Sequence, residues 1–312
     1  MPRPAGLEGL DEQVTASDRE SDHSRGQDME DLAGLPGLET VHAQLAGWIA
    51  VIRAELARRE AGIAVGRPAW KNLVFTGGPG TGKSRAARAV ARTCQKLGLM
   101  GLGDVTEIAA ADLTGTKLRE TGMLMREAFN RAVAGGILMI NGAHAWSALP
   151  DGGQGALRCL YQELTRSRDG DRDALAVILA GQAGPLRGLM HASPPLAARF
   201  PAVIDFPGYT AGQLAAILGV LAREAGFTFA PAAAAKAATV LADAEGHHGS
   251  GNARLAVRLL DQATASQARR IMTAASPPRD FAALSTIQAE DIPAHIYLHD
   301  QSADDERPGQ YL

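Results

Sequence analysis

The run Gly77-Gly78-Pro79-Gly80-Thr81-Gly82-Lys83-Ser84 constrains this chain more than any other stretch. It satisfies the pattern G-x(4)-G-K-[ST] and is framed as that pattern requires. Before it stands KNLVFTG, whose apolar residues at 72–76 read as a buried strand; after it comes the helical stretch SRAARAVARTCQKLG. A glycine-rich loop between strand and helix turns its backbone N–H groups onto phosphate oxygens, and the helix N-terminus adds a favourable dipole. The spacing predicts that Lys83 reaches the β and γ phosphates and that the Ser84 hydroxyl ligates Mg²⁺. Residues 77–84 are therefore expected to hold a nucleotide.

The flanking pattern extends this to a fold class. DVTEIA at 104–109 reads as a strand, RETGMLMREAFNRAV at 119–133 as a helix, and GGILMING at 135–142 as a buried strand. GALRCLYQELTRS at 155–167 reads as a helix, ALAVILAG at 174–181 as a strand, and PAVIDFP at 201–207 as a shorter one. Strands that are apolar throughout and alternate with helices predict an α/β core, a parallel sheet covered on both faces. A helix over 38–61, with Leu38, Val41, Leu45, Trp48, Ile49, Ile52 and Leu56 three or four apart with few exceptions, precedes it. After Pro207 the period changes: GQLAAILGVLAREAG, PAAAAKAATVLADAEG and NARLAVRLLDQATASQARRIM predict three helices with no strand between them.

The expected division is an acidic tail at 1–30, a nucleotide-binding α/β domain at 31–208, a small helical domain at 209–298 and an acidic tail at 299–312. Charge supports the two ends. The net charge of −3 conceals about −5 over residues 1–30 and −3 over 300–312, which leaves about +5 for the body. That is too weak a basic excess to suggest nucleic acid as a partner. Hydrophobic residues make up 46%, and the longest apolar run has eight residues, far below the roughly 20 needed to cross a bilayer. With no signal-like start and only Cys94 and Cys159, the expectation is a cytoplasmic protein with no membrane role.

In the order and spacing of several stretches, residues 31 to about 292 resemble the AAA+ ATPases that include red-type rubisco activase CbbX, the stage V sporulation protein K type and the EccA module of type VII secretion. The stretches are DLAGLPGLETVHAQL, FTGGPGTGKSRAARAVA, AAADLTGTKLRET, GGILMINGAHAW, VILAGQ, PPLAARFPAVIDFPGYT and GNARLAVRLLDQA. The resemblance implies a five-stranded AAA+ P-loop core followed by a small all-α lid, binding ATP or ADP with Mg²⁺. It implies that Arg199 is an arginine finger acting in trans on a neighbouring subunit, hence a ring, and that Arg254 is the lid's sensor 2 arginine. Gln182 falls in the sensor 1 region, and Leu35 to Leu38 in a segment that packs near adenine or simply into the core.

Departures from the family pattern fall where chemistry is done. The strand Ile137-Leu138-Met139-Ile140 should end in Asp-Glu, but Asn141 and Gly142 follow. Loss of the first acid predicts weakened Mg²⁺ binding. Loss of the second removes the base that activates water, a contribution of roughly 10² to 10⁴ in rate. His144, two residues on, reads as a surface or hydrogen-bonded histidine rather than a substitute base. In the pore-loop segment Gly115 to Thr121, Lys117 stands where the family has an aromatic grip and Arg119 where it has a glycine. The expected function is an ATP-binding ring subunit with impaired hydrolysis, regulatory or structural, assembled with itself or with homologous subunits. The alternative is an active AAA+ ATPase that remodels a protein client.

Overall fold

A computed structural model of the chain describes residues 36–63, 72–100, 103–133, 136–166, 175–248, 251–273 and 280–297. The acidic segments expected as tails, and Leu35, lie outside these residues. The first domain runs through helix α1 (Glu39–Glu60), strand β1 (Leu73–Gly77), helix α2 (Lys83–Lys96), strand β2 (Asp104–Ala109) and helix α3 (Leu118–Ala132). Strand β3 (Gly136–Asn141) and a 3-10 turn at Ala143–Ala148 follow. Then come helix α4 (Gln154–Arg166), strand β4 (Ala176–Gly181), helices α5 (Ala183–Ala192) and α6 (Pro194–Ala197), and strand β5 (Ala202–Phe206).

All five strands pair in parallel, in the order β2-β3-β4-β1-β5, so β1 and the loop it feeds sit between β4 and β5. Alternation along each strand divides the core into two layers. Leu73, Phe75, Ile137, Met139, Ile178 and Ala180 pack beneath α1 and α2, while Val74, Leu138, Ile140, Val177 and Leu179 pack beneath α3 and α4. Both faces are covered, which is why β3 and β4 read as unbroken apolar runs. Helix α3 contributes Thr121, Met125, Ala128, Phe129 and Ala132, at offsets of 0, 4, 7, 8 and 11 along its buried side.

The lid begins immediately after Tyr209. Thr210 caps helix α7 (Ala211–Glu224) reciprocally: its hydroxyl accepts from the Gln213 N–H, and its own N–H donates to Gln213 Oε1 at 2.9 Å. Helices α8 (Pro231–His248) and α9 (Ala253–Thr273) follow, and their apolar sides, with Leu241, Leu255 and Leu259, join the core layer under α1 and α2. One difference from the sequence reading is that the lid is not purely helical. Strand β6 (Thr228–Phe229), between the first two lid helices, pairs in parallel with β7 (Thr286–Ile287), which follows the short helix α10 (Phe281–Ser285). Two residues are too few to carry a period, so propensity and pattern are silent there. A bidentate pair of Arg270 with Asp291, at 2.7 and 2.8 Å, ties the segment after β7 to α9. Among the described residues no helix is long and apolar enough to cross a membrane.

Candidate nucleotide site

Strand β1 delivers the loop and α2 receives it. Gly77, with φ of 147°, leaves β1 so close to β5 that a Cβ there would stand 2.4 Å from the Phe206 carbonyl oxygen. Only glycine fits that approach. Gly78 and Pro79 lead into Gly80. Gly82 then caps α2 in the left-handed region, so Lys83 and Ser84 are the first helical residues. Buried Thr81 holds the turn, its hydroxyl donating to the Gly78 carbonyl at 2.9 Å. Lys83 Nζ lies inside the loop, donating to the Gly77 carbonyl at 3.0 Å and the Gly78 carbonyl at 2.5 Å. Burial, and then the charge of Arg254, push its ammonium down to about 8 from the ordinary lysine value. The ammonium is thus a poorly solvated cation held by its own loop's carbonyls, a group to which an arriving phosphate is the better partner.

Opposite the loop, the ends of β2 and β3 form a second wall. Asn141 closes β3 and pairs in register with Ala109 on β2. Its amide Nδ2 donates to Glu107 Oε2 at 2.9 Å, and the Ser84 hydroxyl donates to the same oxygen at 2.8 Å. The other oxygen, Oε1, accepts from Arg88 at 2.9 Å, one turn beyond Ser84 on α2. The Glu107 side chain is only 8% exposed. Asn141 and Ser84, 57 positions apart in sequence, are therefore joined through one carboxylate that the sequence reading missed. Gly142 follows with φ of 70° and has no side chain to offer.

The lid supplies the third wall. Asn252, a buried non-glycine residue with φ of 49°, donates through Nδ2 to the Pro79 carbonyl at 2.9 Å and accepts from the Tyr209 N–H at 3.1 Å. The Ala253 N–H donates to the Gly80 carbonyl at 3.1 Å. Tyr209 closes the junction by donating its hydroxyl to the Thr81 carbonyl at 3.1 Å, and burial raises its phenol to about 12. Arg254 lies against Gly80, its Cγ 3.2 Å from where a Cβ would stand there. Leu38 packs beside Gly82 and is fully buried. At this hinge a cavity of about 290 Å³ is lined by residues that include Tyr209, Thr210, Leu214, Glu245, Asn252 and Leu255.

The structure thus brings together residues 77–84, Asn141 and Arg254, and it keeps Arg199 apart. Arg199 precedes β5, and its carbonyl accepts from Asn72 Nδ2, just before β1, at 3.0 Å. β1 and β5 are parallel, and the P-loop leaves β1 at the other end. Five residues at about 3.3 Å each separate the two ends by roughly 16 Å. The Arg199 guanidinium lies over the Tyr161 ring of α4, 5.3 Å from its centroid. Gln182 is exposed at the N-terminus of α5, and half-buried His144 packs on Gly181 at the end of β4. Lys117 and Arg119 are exposed at the start of α3, in a turn held by Glu120, which accepts from the Thr116 N–H and hydroxyl. Among the described residues no group of three or more His, Cys, Asp and Glu side chains could hold a metal on its own. A divalent cation here needs the oxygens of a bound phosphate, as Mg²⁺ commonly does.

Comparison with known proteins agrees with this arrangement. The ATPase family associated with various cellular activities (AAA) matches residues 73–207, and the AAA lid domain matches residues 210–302. Protein CbbX of Cereibacter sphaeroides is 32% identical over 264 residues, 83% of each chain. Protein CfxQ of Xanthobacter flavus is 30% identical over 280 residues, which are 88% of this chain and 86% of that protein. ESX-3 secretion system protein EccA3 of Mycolicibacterium smegmatis is 35% identical over 206 residues, 65% of this chain but 33% of that longer protein.

Proposed function

The chain belongs to the AAA family of ATPases, with its ATPase and lid domains in order, and on that premise we propose that it is a slow-hydrolysing, ATP-binding ring subunit with a regulatory or structural role. ATP or ADP would lie with its phosphates along residues 77–84 and Mg²⁺ at Ser84, while Arg254 reads the nucleotide from the lid. Lys83 would release the Gly77 and Gly78 carbonyls and turn to the β and γ phosphates.

The observation that carries slow hydrolysis is Gly142. The position that should present a carboxylate to the attacking water has no side chain, and its backbone is left-handed. Asn141 keeps an amide but has spent one donor on Glu107. Arg199 supports the ring. Its place at the far end of the sheet from its own P-loop suits a finger that completes a neighbour's site and cannot serve its own. The partners would be further copies of this chain or homologous AAA+ subunits, in the cytoplasm.

The active alternative, an ATPase that remodels a protein client, is favoured by the likeness to CbbX over 83% of both chains. Steady-state and single-turnover ATPase assays, on the chain alone and mixed with an AAA+ homologue, separate the two. The proposal expects ATP binding with little turnover alone, and loss of the mixed ring's activity on Arg199→Ala. Robust turnover by the chain alone would make it the active enzyme instead.

A further inference from the structure

We propose that Glu107 on β2 is the acid that binds Mg²⁺–nucleotide in this chain, taking from the neighbouring strand the role that position 141 has given up; the inference rests on the P-loop reading above. Three contacts support it. A P-loop serine that ligates Mg²⁺ with an oxygen lone pair must send its proton elsewhere, and Ser84 sends it to Glu107 Oε2 at 2.8 Å. Asn141 donates to that same oxygen at 2.9 Å, so the residue at the acid's expected place turns its amide toward the substitute acid. Arg88 takes Oε1 at 2.9 Å and fixes the carboxylate plane, leaving Oε2 toward the corner that Ser84 and Asn141 share.

Register explains how one acid can move between strands. Glu107 pairs with Met139, two residues before Asn141, and both face α2. A glutamate is one methylene longer than an aspartate, and from that position it reaches the same hydroxyl. Burial supports the assignment too. A carboxylate only 8% exposed on a strand that packs under a helix is costly unless something uses its charge. Arg88 offsets part of that cost and Mg²⁺ would offset more. Arg88 is a positioning residue here, as is Asn141, whereas Glu107 and Ser84 face the metal or its water shell.

The test measures ATP affinity by calorimetry in Mg²⁺ and in EDTA, using the full chain. Wild type is expected to bind ATP at least about tenfold more tightly with Mg²⁺. Glu107→Gln keeps the shape and removes the charge; it is expected to cut that increment below about threefold while its affinity in EDTA stays equal or rises. Binding in EDTA doubles as the check that the variant is folded. The double variant Glu107→Gln/Asn141→Asp returns an acid to β3 and is expected to recover the increment. Should Glu107→Gln not fold, Asn141→Asp alone decides. With Glu107 already in that role a second carboxylate is redundant, so Mg²⁺–ATP is expected to raise this variant's melting temperature about as much as that of wild type, and a clearly larger rise, the mark of a site that had lacked an acid, overturns the proposal. An undiminished increment in Glu107→Gln overturns it as well. Wild-type binding without any Mg²⁺ increment overturns it while leaving the nucleotide reading intact, and no binding in either condition overturns both.

Discussion

The P-loop wall and the β2–β3 wall face the same cleft, and they differ in what they retain. From Gly77 to Ser84 every position that cradles phosphate is present, and the geometry is tight enough that Gly77 admits no Cβ. Across from it the ends of β2 and β3 present the Asn141 amide, a glycine and the Glu107 carboxylate. Backbone geometry enforces the first wall, because φ angles and close approaches such as that of Gly77 to Phe206 set the loop's shape. Side chains alone make the second, so it is free to lose one function and keep another. Holding nucleotide and cleaving it are physically separable in this fold.

Restoring the missing groups attacks that contrast most directly. Asn141→Asp/Gly142→Glu should raise ATP turnover by roughly 100-fold, the low end of what a general base supplies. The low end is expected because Gly142 is left-handed: space for a side chain is open, with nothing within 4 Å, but an L-residue there costs about 1–2 kcal/mol or must shift the backbone. Steady-state phosphate release checks it, and unchanged turnover would mean that something other than the missing base limits the rate. Lys83→Ala probes the opposite wall. Losing two charge-assisted contacts to phosphate, at about 1.5–3 kcal/mol each, should weaken ATP binding by roughly 100-fold or more. The fold should persist, because the partners of Lys83 in the free protein are carbonyls of its own loop and one threonine. A loss below threefold, read by calorimetry, would move the anchor away from Lys83.

A smaller effect separates the lid from both walls. Asn252→Gly keeps the left-handed backbone and removes the bonds to Pro79 and Tyr209, so it should cost about 1–3 kcal/mol of lid docking. Asn252→Ala should cost more, since strain at φ of 49° is added. Faster hydrogen exchange at residues 80–82 in both variants, with exchange in β3 and β4 unchanged, is the expected reading. Uniform loss of protection would mean instead that Asn252 supports the whole fold.

What was legible in the sequence follows the same physics. The P-loop, the helix α1, the lid helices and every core strand were readable to within two residues, and β2 was placed at 104–109 without error, because period and turn chemistry are local signals. The pair β6–β7 was not, since its two-residue strands exist only through a partner nearly 60 positions away. Glu107 was passed over for a related reason. It sits in DVTEIA as one of three polar residues in a strand, and nothing nearby says that Ser84, Arg88 and Asn141 converge on it. A signal did exist: a carboxylate at a helix-facing strand position demands a partner, and the P-loop helix was already the candidate cover. Reading the end of β3 alone made the site look stripped of acid, whereas the Glu107 carboxylate stands one strand away.

The mildest test uses only pH and asks whether the phosphate wall behaves as a buried-cation device. Lys83 titrates near 8 in the free protein, pushed down by burial and then by Arg254, and a bound polyphosphate should return it toward the ordinary lysine range. Between about pH 8 and 10.5 the unfolded chain therefore binds more protons at this residue than the folded one, so its contribution to stability rises with pH through that window. Nucleotide binding runs the other way: the bound state holds a proton that the free state has begun to lose, and affinity should fall as pH rises. For a group with a value near 8 that loss is about fourfold at pH 8.5 relative to pH 7. Calorimetry at pH 8.5 in two buffers of different ionisation enthalpy should register proton uptake of about three-quarters per ATP, and Lys83→Arg, which stays charged, should abolish it. Absence of uptake in wild type would mean that Lys83 is fully protonated before ATP arrives, and the loop's strained ammonium would then have no part in setting affinity.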